Sequence, residues 1–472
     1  MSILQRRLFL IAVLGSLLNW ICASTPICMA ATGDLKLPAF QKVKLNNELT
    51  LLLMEQREVP IVSFQVLVKS GSTSDPEEKE GLAWLTAELL RKGTAQRTAD
   101  QIAAELDFMG GRLQTETRSD MTRISAEFLR KDLQAGLALL ADCLLNAGFP
   151  ADEVSKLSAQ QIDNIRSAKD EARGVIGDYF NAFLYGNHPY GRPMKGNEIS
   201  LAKLKRDDAV KFHARHYVPG NCFLTVVGDF ASQEIKEVLR GQLESWPKAP
   251  VPVAELPAAE PVHGKHLLLV DKPDSTQTYF QIGNVGIARS SPDRLYVQVV
   301  NTLLGGRFTS MLNSELRINS GLSYGAYSRF DLRKLPGPFV VTSFTRNETT
   351  SKALDLTLEV LSRLHKQGIT QEALNSAKNY IKGQFPPTIE TSDQLAALLG
   401  ELEFYGLDAG EVDRMYSRID AMTLADARRV IQQHFPLESL NFVLVGKAEV
   451  IAKEAARYAP VVERKSITQP GF

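Results

Sequence analysis

The sequence predicts an α+β protein built from two tandem, similar domains, and three observations carry that expectation. Residues 208–229 (DAVKFHARHYVPGNCFLTVVGD) and 427–448 (ARRVIQQHFPLESLNFVLVGKA) share one order: a helical stretch, an aromatic residue and a proline, then a buried strand closing on Val-Gly. Each half opens with strand-like segments, 51–54 and 61–68 in the first, 266–270 and 276–285 in the second. Helical runs with apolar residues three and four apart follow, among them 153–167 and its counterpart 372–383. Between the halves, residues 250–261 carry four prolines in twelve positions, the composition of a stiff extended connector. Domains are therefore expected at 37–249 and 264–461, with a linker over 250–263 and a short polar tail. Two such halves commonly enclose a cleft, a scaffold for a site rather than a function.

The first thirty residues stand apart. Arg6-Arg7, the apolar run 8–18 and the small residue Ala30 after Cys28-Met29 make the three-part pattern of a secretory signal peptide, with Ala23 as an alternative cut. The other reading is an N-terminal anchor facing the periplasm, but the run is shorter than the ~20 residues of a spanning helix. No stable membrane span is expected after cleavage, and the expected location is the periplasm. Among the chain's four cysteines, Cys143 lies in the apolar helical run 137–145 and Cys222 begins the strand-like 222–228. Both read as ordinary buried cysteines. With 44% hydrophobic and 23% charged residues the chain is not intrinsically disordered. Its 54 basic residues balance 54 acidic ones, which leaves no electrostatic footprint for nucleic acid.

The motifs follow in order along the chain. Residues 80–94 read EGLAWLTAELLRKGT, residues 185–191 read YGNHPYG, and Tyr217-x-Pro219-x-Asn221 follows. Together they resemble the pitrilysin family of inverted zinc metallopeptidases, which includes insulin-degrading enzyme and the mitochondrial processing peptidase. The resemblance spans nearly the whole mature chain and implies two homologous domains, each a mainly antiparallel sheet covered by helices, around a cleft. In that family the Gly-Leu-Ala stretch runs into H-x-x-E-H. Two imidazoles one helical turn apart bind Zn²⁺, and the Glu between them is the general base. The matching positions here are Trp84, Ala87 and Glu88, and the resemblance places Asn164 where a later Glu completes the metal shell. The first histidine in the chain is His188, so no imidazole precedes it. His213-x-x-His216 is read as helix packing rather than as a metal site, and His263-Gly-Lys-His266 is no better placed. No metal is expected in this chain, and nothing marks a serine or cysteine nucleophile with its base.

The second half keeps a further signature. Residues 304–317 read LGGRFTSMLNSELR and 318–325 read INSGLSYG, resembling the family's Arg followed by Gly-Leu-x-Tyr. The resemblance gives Arg317 and Tyr324 the role of holding the scissile carbonyl and its oxyanion across a cleft, which suits a guanidinium and a phenol. The local alternative pairs Arg317 with a neighbouring carboxylate and packs Tyr324 as a strand residue. Gly305 and Gly306 are read as permitting a tight entry to the helix. The family's substrate-binding edge strand corresponds to Gly110-Gly-Arg-Leu-Gln-Thr115, with Gln114 and Thr115 at its last two places. A lost zinc site beside a retained Arg–Tyr pair implies a zinc-free subunit of a two-chain enzyme. Its partner would carry H-x-x-E-H and the zinc, the pair would be a heterodimer, and the substrates would be peptides or unfolded segments. The alternative is a catalytically inactive peptide-binding or scaffold protein of the same fold.

Overall fold

The computed structural model describes residues 35–472 apart from residue 254, so the signal-peptide reading of 1–30 lies outside the described residues. Each half is centred on a six-stranded mixed sheet. The first sheet runs β1 (Gln41–Lys44), β2 (Thr50–Glu55), β6 (Cys222–Gly228), β3 (Ile61–Val68), β5 (Thr122–Leu129) and β4 (Arg112–Thr117). The second runs β12 (Val461–Ser466), β7 (Lys265–Asp271), β11 (Leu440–Gly446), β8 (Gln277–Val285), β10 (Pro338–Arg346) and β9 (Ala326–Phe330).

The repeat is visible strand by strand. β2 pairs parallel with β6 as β7 pairs parallel with β11, with Leu51 opposite Leu224 and Leu267 opposite Phe442. The next three pairings inward are antiparallel in both sheets. The outer strand differs: β1 lies antiparallel to β2, whereas β12 lies parallel to β7. The polar stretch after 461, expected as a tail, is thus the edge strand of the second sheet. Main-chain pairing needs no apolar side chain, which is why Val-Val-Glu-Arg-Lys-Ser carries no strand pattern.

The longer helices are α1 (Leu82–Leu89), α2 (Ala99–Met109), α3 (Leu133–Leu145), α4 (Ala151–Asp170), α5 (Ala172–Tyr185), α6 (Arg206–His216) and α7 (Ser232–Leu243) in the first half. The second half has α8 (Arg294–Asn301), α9 (Thr350–Gln367), α10 (Gln371–Gln384), α11 (Ser392–Tyr405) and α12 (Leu424–His434). The central strands are buried on both faces, so their sequences are continuous apolar runs rather than alternating ones. In β2, Leu51 and Leu53 join the core beneath the first half's own helices, while Leu52 and Met54 face the other way. That other face is covered by Leu395, Ala396 and Leu399 of α11, from the second half. The exchange is reciprocal: Val175, Ile176, Tyr179 and Phe180 of α5 cover Leu268, Val270, Val443 and Val445 of the second sheet. The repeat boundaries therefore divide the sequence, while the packing interlocks the halves.

Polar contacts fix the same junction. Tyr190, from the YGNHPYG segment, donates its phenol to both carboxylate oxygens of Asp120 at 2.9 Å and accepts the Leu335 N–H at 3.0 Å. Asp120 also accepts the Lys334 N–H at 2.9 Å, and Glu401 of α11 binds Arg123 at 2.7 Å.

Candidate functional site

The helix that carries the motif positions is set by its first turn. Gly81 precedes α1 at φ 92°, and a Cβ there would stand 2.8 Å from the Gly196 nitrogen, so glycine is required. The buried Asp75 carboxylate accepts the Gly81 and Ala83 N–H groups at 2.8 and 2.7 Å, satisfying two orphan donors of the helix start. Burial pushes its pKa up to about 8, against the downward pull of those two bonds. Leu82, Ala83, Leu85, Thr86, Ala87 and Leu89 are buried. Trp84 and Glu88, four residues apart and hence on one face, stay partly open.

The open face does not hold a metal set. One Glu88 oxygen accepts the Thr115 hydroxyl at 2.7 Å, and the other accepts an Arg91 Nη at 2.7 Å. Trp84 packs against the first core and Ala87 offers no ligand atom. Asn164 on α4 is exposed, with its amide 3.5 Å from the Gln161 side chain; Gln161, nearly a turn earlier, is the buried polar residue. Among the described residues no group of three or more His, Cys, Asp or Glu side chains converges on one point. These residues do not fit a zinc ion, which needs three protein ligands at a catalytic site.

Edge strand β4 lies alongside α1. Thr115 ties it to Glu88, while Gln114, its side chain on the opposite face, is exposed. The outer edge of β4 has no backbone partner among the described residues. Two of the motif positions are thus brought together by one hydrogen bond.

The paired histidines of α6 diverge. His213 Nε2 bonds the Leu144 carbonyl at 2.9 Å and its ring stacks on Tyr217, while His216 Nδ1 meets the Ser70 hydroxyl at 2.7 Å. Burial pushes both pKa values down to about 4. Ser70–His216 has the spacing of a nucleophile and its base, but Ser70 is 3% and His216 7% exposed. A peptide bond has no route to them, and the pair is structural.

The second-half motif is built from two π-helical turns, Thr302–Gly306 and Ser314–Asn319, around a short loop and helix. Such turns are rare and cluster at functional sites. A Cβ on Gly305 would lie 2.3 Å from the Ser328 nitrogen, so the glycine serves close approach to β9 rather than a turn. Asn301 holds the same Ser328 through its carbonyl at 3.0 Å and its hydroxyl at 2.7 Å.

Arg317 sits in the second π turn, half-buried, with Cζ 4.5 Å from the Tyr324 ring centroid and 4.8 Å from that of Phe308. Its side chain makes no hydrogen bond or ion pair among the described residues. The neighbouring acid, Glu315, is taken by Arg363 at 2.7 Å and Asn319 at 3.1 Å. Tyr324 is 75% exposed. The local alternative, a paired arginine and a packed tyrosine, fails on both counts. No hydrogen bond or ion pair among the described residues joins α1 or β4 to 308–324. Phe308 escaped the sequence reading: it lay inside the motif, and only its position against Arg317 marks it out.

The comparisons agree with this architecture. Residues 51–198 match the family model described as Insulinase (Peptidase family M16), and residues 203–381 match the one described as Peptidase M16 inactive domain. An uncharacterized zinc protease of Mycobacterium leprae is 28% identical over 381 residues, 79% of this chain and 84% of that protein. An uncharacterized zinc protease of Bacillus subtilis is 24% identical over 390 residues, 82% of this chain and 94% of that one. The crystal structure of a peptidase M16 inactive domain from Pseudomonas fluorescens superposes with a TM-score of 0.82 at 25% identity, covering 87% of this chain and 98% of that chain. The first half of the periplasmic protease PqqL from Escherichia coli shares the fold, with a TM-score of 0.71 at 16% identity over 90% of this chain and 95% of its own. With both models in order along the sequence and the doubled sheet beneath them, the chain belongs to the insulinase family of peptidases, M16.

Proposed function

We propose that this chain is the zinc-free subunit of a two-chain peptidase and presents Arg317 and Tyr324 to a catalytic chain carrying H-x-x-E-H. One observation carries the reading: the Arg317 guanidinium stands without an acidic partner beside two exposed rings. A charged guanidinium and a neutral phenol are donors suited to a peptide carbonyl and to the negative charge that grows on its oxygen. Trp84, Ala87 and the doubly bonded Glu88 leave this chain's own helix unable to hold zinc, so the metal is expected in the partner. This chain then contributes binding and charge stabilisation, and the two halves of the site meet only in the heterodimer.

Extended peptides and unfolded segments are the substrate class that suits the open edge of β4, because strand addition uses main-chain groups. The arginine-led apolar N-terminus supports export to the periplasm. None of the described helices is long and apolar enough to cross a membrane.

Arg317→Ala in the assembled pair tests the reading. We expect kcat to fall by about 100-fold, the scale of losing an oxyanion donor, with the partner's metal content unchanged. Full activity in that variant contradicts it. The second reading, an inactive peptide-binding scaffold, draws on one feature: the Glu88–Thr115 bond anchors the edge strand to α1 without a metal. A chain that binds peptide as a homodimer and recruits no metallopeptidase would establish that reading instead.

A further inference from the structure

Phe308 is 58% exposed, and an exposed aromatic ring by itself needs no explanation. Its surroundings do. The Asn313 side-chain amide donates to the Phe308 carbonyl at 2.6 Å, and the Ser310 N–H donates to the Arg307 carbonyl at 3.1 Å. Arg307 in turn donates to the Ser376 hydroxyl at 2.9 Å and lies 5.9 Å from the Tyr380 ring centroid. The loop is thus tied on both sides of Phe308, whose ring shares the Arg317 guanidinium with that of Tyr324. The two π-helical turns bracket it.

The choice of residue also has a physical logic. A carboxylate at 308 would hold the guanidinium more firmly, but it would occupy the N–H donors. An aromatic face attracts the cation through its quadrupole and accepts none of those hydrogen bonds. An arginine free to sample its rotamers would have to be ordered afresh on every binding event. We infer that Phe308 is a positioning residue that holds the Arg317 guanidinium in place while leaving its N–H groups free for a carbonyl. The inference rests on the in-trans role proposed for Arg317, and it makes the donor ready before the partner arrives.

The test is a coupling cycle in the assembled two-chain enzyme, with Phe308→Leu, Phe308→Tyr, Arg317→Ala and the double variant. A cation–π contact at an exposed site corresponds to about a two- to fivefold change. Phe308→Leu should therefore lower kcat by that factor with KM nearly unchanged, and Phe308→Tyr, which keeps the ring, should restore it. In the Arg317→Ala background Phe308→Leu should cost nothing further. An equal loss in both backgrounds, or no loss in either, overturns the inference while leaving Arg317 in its role. No effect from Arg317→Ala overturns the role itself and the inference with it. A second measurement needs no partner. In the full chain alone, ring currents should move the Arg317 side-chain proton resonances upfield, and Phe308→Leu should return them part of the way, the Tyr324 ring at 4.5 Å keeping the remainder. Unshifted resonances in the unsubstituted chain overturn the inference.

Discussion

At the scale of single residues, two charged groups define the molecule, and they are treated in opposite ways. Glu88 has each oxygen matched to a donor, Thr115 on one side and Arg91 on the other. Arg317 has rings in place of acids. Glu88→Ala should cost about 1 kcal/mol by removing these bonds and loosen β4, seen as faster amide exchange over 112–117. The histidines of α6 add a pH dependence. His213 titrates at about 4 in the fold against 6.5 unfolded, so the unfolded chain binds the proton first. Stability from this group is complete above 6.5 and is lost as pH falls toward 4. Denaturant midpoints should drop through that window, and His213→Gln should flatten the drop. The replacements at 84, 87 and 88 were legible in the sequence because ligand chemistry depends on side-chain identity. The exposure of Asn164 was not, since helical phase one turn away depends on packing.

The elements show why so much chemistry sits in short stretches. α1 is fixed by Gly81 and the buried Asp75, a residue with no motif to announce it. The apolar runs of β2, β6, β7 and β11 marked strands in the sequence, and the Val-Gly endings revealed the repeat. β12 escaped because an edge strand paired through its backbone can be polar. The π-helical turns escaped as well, because an extra residue in a turn leaves no mark in apolar spacing. Gly305 is the test of that region. Gly305→Ala places a methyl group against the Ser328 backbone, which cannot yield as a side-chain tip can. We expect a loss of about 2 kcal/mol, the scale of overpacking, and displacement of Arg317 relative to Tyr324.

At the scale of the whole molecule, exchange of α5 and α11 makes the halves one folding unit. Leu52, Met54 and Val227 pack against α11 of the second half, and the α5 face packs against the second sheet. Residues 37–249 expressed alone should therefore aggregate rather than fold. Leu399→Ala, at a site 1% exposed, should lower stability by about 3 kcal/mol, with fluorescence and circular dichroism losing signal in one transition. In the proposed reading, the exposed Arg317–Tyr324 region of this chain is completed by a second chain. The central claim is therefore best tested by purifying the chain from its native cells and measuring which polypeptide accompanies it and where the zinc resides. The account predicts an equimolar partner carrying H-x-x-E-H, with zinc in that partner alone. Recovery of this chain by itself, or with zinc bound to it, would contradict the account.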